Sequence, residues 1–155
     1  MSSDRSPRAR RHLDLGFLGG LIGYSLRRAQ LAVYQDFFRT FAPVGIRPAQ
    51  FAVLAVLARN PGLKQTEIAA ALGIKRTNFV GLVDTLEKRG LLERRAGQRD
   101  RRSSAIHLTE AGRRLVRRLH RMVALHERRI TAGFDTTERR QLLAMLQRLA
   151  STSPT

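Results

Sequence analysis

A mainly α-helical fold with one small β-hairpin is predicted by three observations. Apolar residues recur at intervals of three and four along most of the chain. Between about 64 and 108, two short helical segments joined by a Gly turn give way to two short strands. Helical spacing resumes at both ends of the chain, with more apolar face than so small a centre can cover. The 155 residues suit a single domain. Residues 1–12, basic and containing Pro7, read as a disordered tail. Residues 13–155 read as one unit, with flanking helices at 13–45 and 109–150 and a central module at 46–108.

The first helix is expected from about Leu15 to Phe41. Its apolar positions are Phe17, Leu18, Leu21, Ile22, Leu26, Val33, Phe37, Phe38 and Phe41, and Pro43 and Gly45 end it. A second starts at Pro48, carries Phe51, Leu54 and Leu57, and stops at Asn60-Pro61-Gly62. A third, Gln65 to Leu72, buries Ile68 and Leu72 and ends on Gly73. The fourth, about Lys75 to Arg89, buries Phe79, Leu82, Val83 and Leu86 before Gly90. Strands at Leu91–Arg95 and Ala105–Leu108 flank the tip AGQRDRRSS. Thr109 and Glu110 open a fifth helix with one apolar stripe, Leu115, Leu119, Met122, His126 and Ile130. Five arginines, Arg113, Arg114, Arg117, Arg118 and Arg121, lie off that stripe. Asp135-Thr136-Thr137-Glu138 has the pattern of a capping box and opens a sixth helix through Leu142, Leu143, Met145, Leu146 and Leu149.

In this order the elements make a winged helix-turn-helix flanked by N- and C-terminal helices. That shape sets one helix in a DNA major groove and a hairpin loop against the backbone. The formal net charge of +17 asks for a polyanion. Lysine occurs only at Lys64, Lys75 and Lys88, so the charge is carried mostly by Arg, whose planar fork fits phosphate and guanine edges. A GC-rich genome explains part of that count but not its clustering. With no Cys, disulfides, thiolate zinc sites and thiol redox sensing are excluded. The start MSSDRSPRARRH lacks a secretory apolar run, and Leu13–Leu26 is too short to span a bilayer, so a cytoplasmic location is expected.

The recognition residues expected at the start of the fourth helix are Lys75, Arg76, Thr77, Asn78 and Val80, with Gly81 and Asp84 one turn on. Arg76 can bridge guanine O6 and N7, Asn78 can pair with adenine, and Val80 can meet a thymine methyl. Thr77 and Asn78 have an alternative use as local caps. At the hairpin tip Arg99, Arg101 and Arg102 repel one another unless an anion is present. Asp100 is expected to brace a neighbouring arginine such as Arg94 or Arg95, and Ser103 to bond backbone or phosphate. The rival reading is a solvated loop. Enzyme chemistry is not indicated: His12, His107, His120 and His126 lack metal-ligand spacing, no catalytic motif appears, and no cofactor or metal is expected. His126, on the apolar stripe, reads as a satisfied core or interface residue. The competing binding function is a non-specific architectural protein that coats DNA by charge.

The motifs TEIAAALGIKRTNFVGLVDTLEKRGLLERR at 66–95 and DRRSSAIHLTEAG at 100–112 resemble the MarR family of bacterial transcription regulators, and the resemblance spans about Leu15 to Leu149. It implies a homodimer based on the terminal helices, a pseudo-palindromic double-stranded operator, and a ligand pocket between the dimer base and the DNA-binding lobes. It places recognition at Arg76, Thr77, Asn78 and Val80 and wing contacts at Asp100 and Arg102. Gly81 departs from the family, whose members often carry a polar residue there.

The segment GYSLRRAQLAVYQDFFR at 23–39, with RTNFVGL, is similar to the subgroup controlling catabolism of hydroxycinnamates and related aromatic acids, whose members respond to aromatic acyl-CoA thioesters such as coumaroyl-CoA. On that resemblance Arg27 and Arg28 would hold CoA phosphates while Tyr34, Phe38 and Phe51 line the acyl pocket. Equally compatible with the residues alone, the aromatics are dimer core and the arginines surface or DNA-facing groups.

Overall fold

The computed structural model describes residues 13–96 and 104–152. Its elements are α1 (Ile22–Phe41), α2 (Pro48–Arg59), β1 (Leu63–Lys64), α3 (Gln65–Ala71), α4 (Arg76–Lys88), β2 (Leu92–Ala96), β3 (Ser104–Leu108), α5 (Glu110–Ile130) and α6 (Thr136–Ser151). The predicted class, mainly α with a small hairpin wing, is the observed one.

The first helix starts later than its apolar spacing suggests. Gly16–Gly20 forms a 3-10 turn, and Leu21 is extended (φ −88°, ψ 128°) before α1 begins. Three glycines in this stretch raise the entropic cost of regular helix, and Asp14 Oδ1 accepts from the Gly16 amide instead at 2.8 Å. The first hairpin strand is shifted one residue from expectation and the second begins one residue earlier, with Arg94 opposite Ile106. A third strand, β1, pairs Leu63 with Ile106, giving the antiparallel order β1-β3-β2. Two residues following a Pro-Gly turn carry no period that could have announced it.

One core holds these elements together. Phe41, Val53, Leu54, Leu57, Ile68, Phe79, Val83, Leu86, Ile106 and Leu119 are all essentially inaccessible. Each central helix therefore spends its apolar face on the same centre, which fixes how α4 is presented. Caps set the ends: Thr109 Oγ1 accepts from the Gly112 amide at 3.0 Å and donates to the Gly90 carbonyl at 2.6 Å. The capping box at α6 forms as its sequence indicates, with Asp135 accepting from Thr137 and Glu138 amides and Glu138 returning to the Asp135 amide. Gly112 is needed for closeness: a Cβ there would fall inside the Leu91 carbonyl and 3.2 Å from Leu108 Cδ2.

The terminal helices are the exception. No residue of α6 is buried, and Leu142, Leu143, Met145, Leu146 and Leu149 all face solvent. Leu15, Phe17, Leu18, Leu21, Ile22 and Leu26 are exposed likewise. Among the described residues, no single helix is long and apolar enough to cross a membrane.

Candidate nucleic-acid interface

The turn between α3 and α4 sets the angle at which α4, the predicted recognition helix, leaves α3. Gly73 takes a left-handed conformation (φ 63°), and the Ile74 amide reaches back to the Ala69 carbonyl at 2.9 Å. A side chain at Gly73 would strain that turn, so the tight helix-turn-helix angle requires glycine.

On α4, burial of Phe79, Val83 and Leu86 forces the opposite face outward. Lys75, Arg76, Thr77 and Asn78 are exposed at its N-terminus, and Val80 is 40% exposed. No side-chain cap bond forms at this end. Thr77 and Asn78 are thus left available rather than used as caps. The free amides of the helix start add partial positive charge where a phosphate would approach.

Asp84 has a different role from the base-facing one expected of it. Arg94, on β2, forms charged hydrogen bonds with Asp84 and Glu87 on α4, and its backbone amide also donates to Glu87 Oε1 at 3.3 Å. One guanidinium therefore joins the wing to the recognition helix. At the far end of α4, Arg89 donates to the carbonyls of Val44 and Gly45, both at 2.8 Å. Arg95 turns to its strand neighbour Glu93, with Nε 2.9 Å from Oε1. Sequence reasoning missed this bracing, although acids at i and i+3 on the helix followed by Arg on the next strand were a readable signal. The predicted tip residues Arg99, Asp100, Arg101, Arg102 and Ser103 lie outside the described residues.

The predicted ligand residues are only partly brought together. Tyr34 and Phe38 meet edge-on at 6.2 Å, and Phe37 links Phe38 to Phe51 at 6.3 and 6.1 Å. Phe51 is half-buried and also packs on Phe41, so it belongs to the core as much as to any pocket. Tyr34 and Phe38 are 40% and 50% exposed, too open to enclose a ring within one protomer. Arg27 and Arg28 are exposed. At 100° per residue Arg27 shares the helix line of Tyr34 and Phe38, whereas Arg28 falls roughly 80° away from Phe38.

Behind the aromatics lies a polar clasp. Asp36 on α1 accepts from Arg129 Nε at 2.9 Å, lies 2.7 Å from His126 Nδ1, and accepts from Thr40 Oγ1 at 3.2 Å. These bonds, Arg129 first, hold its carboxyl down at about 2 against an ordinary 3.8. His126 is buried and satisfied, in line with its place on the apolar stripe.

A separate cleft of about 380 Å³ opens where the end of α2, β3 and the start of α5 meet. Leu57, Leu108 and Val116 floor it, and His107, Arg113 and Arg117 rim it.

Residues 44–103 match the MarR family. The transcriptional repressor CouR bound to a 23-mer DNA duplex is 48% identical, superposes with a TM-score of 0.85, and covers 89% of this chain and 98% of its own. CouR bound to p-coumaroyl-CoA is 44% identical with a TM-score of 0.84, covering 91% and 99%. The transcriptional repressor MprA of Escherichia coli (strain K12) is 31% identical over 148 residues, 93% of this chain and 83% of the relative.

Proposed function

The chain belongs to the MarR family of transcription regulators, and from that premise we propose that it is a dimeric repressor which binds a pseudo-palindromic operator and leaves it when an aromatic acyl-CoA binds. The observation that carries the DNA reading is the start of α4, where Lys75, Arg76, Thr77, Asn78 and Val80 are exposed on a helix locked from behind by Phe79, Val83 and Leu86. Arg76 reads guanine, Asn78 adenine and Val80 a thymine methyl. Arg99, Arg101, Arg102 and Ser103 serve the wing's contacts with backbone and minor groove, and Asp100 braces a neighbouring arginine for them.

The second copy is supplied by the terminal helices. A 16-residue amphipathic helix with no buried residue is costly in water unless another surface covers it. Pairing α6 and the start of α1 with the same segments of a partner covers both and sets two recognition helices on one face of the duplex. The dimer would also close the open side of the aromatic run at Tyr34 and Phe38. Phe51 forms the back of that pocket, and Arg27 and Arg28 take the phosphates of the thioester's CoA. The likeness to CouR, whose structures carry DNA and p-coumaroyl-CoA, supports this effector class. A repressor released by such a thioester would control aromatic-acid catabolism. The effector acts by population shift, favouring lobe spacings that fit the operator less well. Work on chromosomal DNA makes the protein cytoplasmic.

Fluorescence anisotropy on the protein's own upstream intergenic duplex and on a shuffled duplex, at physiological salt, tests the reading. Preference for the native duplex that is lost with coumaroyl-CoA but not with the free acid is expected. Equal binding to both duplexes would replace it with charge-driven coating of DNA, the reading favoured by the net charge of +17 alone.

A further inference from the structure

The solvent face of α5 carries Arg113, Arg114, Arg117, Arg118 and Arg121, all exposed. At 100° per residue these five fall within an arc of about 140°, opposite the buried Val116, Leu119 and His126. Arg128 continues the same face. Among the described residues one acid answers them: Glu110 pairs with Arg113, Arg114 and Arg117 at 3.0, 3.6 and 3.8 Å. Like charges three and four residues apart destabilise a helix, so such a face is an unfavourable choice in isolation.

Its position gives it an occupant. α5 follows β3 after Thr109 alone, and Arg113 Nη1 donates to the Leu108 carbonyl at 2.9 Å. Arg113 and Arg117 also rim the cleft shared with His107 of the wing strand. The arginine face thus begins at the base of the wing, where β3 ends, and it extends from Arg113 to Arg121 over about 12 Å. That length matches about three phosphates of one strand.

We propose that the arginine face of α5 is a second duplex-DNA surface, holding the phosphate backbone beyond the segment read by α4 and the wing. It rests on the reading that α4 and the wing bind duplex DNA. It adds affinity without adding sequence preference, because phosphates carry no base identity. It also makes affinity depend on the length of duplex outside the operator.

The test uses the full chain and the variant Arg118→Gln/Arg121→Gln, which spares the arginines bonded to Glu110 and Leu108. Far-UV circular dichroism checks that the helix content is unchanged. Anisotropy titrations across a salt series use two operator duplexes, one ending at the half-sites and one carrying about one and a half helical turns of flank at each end. Shuffled duplexes of both lengths accompany them. On the long duplexes the variant should show a salt slope shallower by about 1.8 per protomer, from two lost phosphate contacts at about 0.9 each. On the short ones its slope should equal that of the wild type. An unchanged slope on the long duplexes overturns the proposal, and so does an equal loss on short and long. Lost binding to phosphatidylglycerol vesicles with DNA slopes unchanged would assign the face to a lipid surface instead. Wild-type preference for the short operator over its shuffled partner reports the recognition reading separately from all of these outcomes.

Discussion

Asp36 and His126 lie 90 positions apart in sequence and 2.7 Å apart in space, joining α1 to α5 beneath the aromatic run. Phe37 and Phe41 stack at 4.0 Å beside them and meet the imidazole edge-on at 5.6 and 6.4 Å. The helix that carries most of the proposed effector residues is therefore joined to the helix that follows the wing by one carboxylate and by the aromatic packing beside it.

That carboxylate predicts acid sensitivity. Its folded-state value of about 2 lies below the ordinary 3.8, so the unfolded chain binds the proton more readily. The stabilisation is complete above about pH 4 and is lost as pH falls through about 2. Asp36→Asn should cost on the order of 2 kcal/mol at pH 7 and progressively less toward pH 2. Urea unfolding of both proteins at several pH values measures this. A gap independent of pH would show that the aspartate's charge is not what stabilises the clasp.

Arg94 predicts a coupling between wing and recognition helix. Asp84, Glu87 and Arg94 are partly exposed, so the ion pairs themselves are worth only about 0–1 kcal/mol of stability. Their larger effect is on orientation. Arg94→Met should leave the unfolding midpoint nearly unchanged while weakening operator binding several-fold, as seen by anisotropy. Unaltered affinity would mean that the wing is positioned by the β-ladder alone.

Arg76→Ala should lose about 1–3 kcal/mol of discrimination at one guanine position, measured on duplexes substituted base by base. Binding to shuffled DNA should fall far less. A uniform loss on every duplex would reassign Arg76 to phosphate.

Leu143→Glu/Leu146→Glu places charge on the exposed apolar face of α6 without touching the core. Sedimentation velocity should show the dimer shifted to monomer, with operator binding lost along with it. A dimer of unchanged stability would move the interface elsewhere.

The two glycines Gly112 and Gly81 should respond in opposite senses. Gly112→Ala drives a methyl into the Leu91 carbonyl and should cost about 3 kcal/mol, seen as a lower urea midpoint. Gly81→Ala has nothing within 4 Å and should gain roughly 0.5–1 kcal/mol from helix propensity. A stable Gly112→Ala protein would show that Leu91, just before β2, and α5 can separate at little cost.

Helix existence and order were legible in the sequence because period and caps are local. Pro48, Gly73, Thr109 and Asp135 each announce an element boundary through a neighbour at most four residues away. The exposed start of α4 followed from the same logic, since Phe79, Val83 and Leu86 already define the face turned inward. The break at Leu21 was not legible, because helical spacing continues through a segment whose glycines oppose regular helix.

The chain's sequence determined the class of fold, the outward face of α4 and the surplus of apolar surface at both ends, all consequences of residues near one another in the chain. Tertiary structure alone decided what Asp84, Arg94, Asp36 and His126 do. Each gains its partner only when distant segments are packed together, and a charge in sequence does not say which opposite charge will reach it. The same holds for Phe51, which packing turned toward Phe37 and Phe41 and made a wall shared by the core and the proposed pocket.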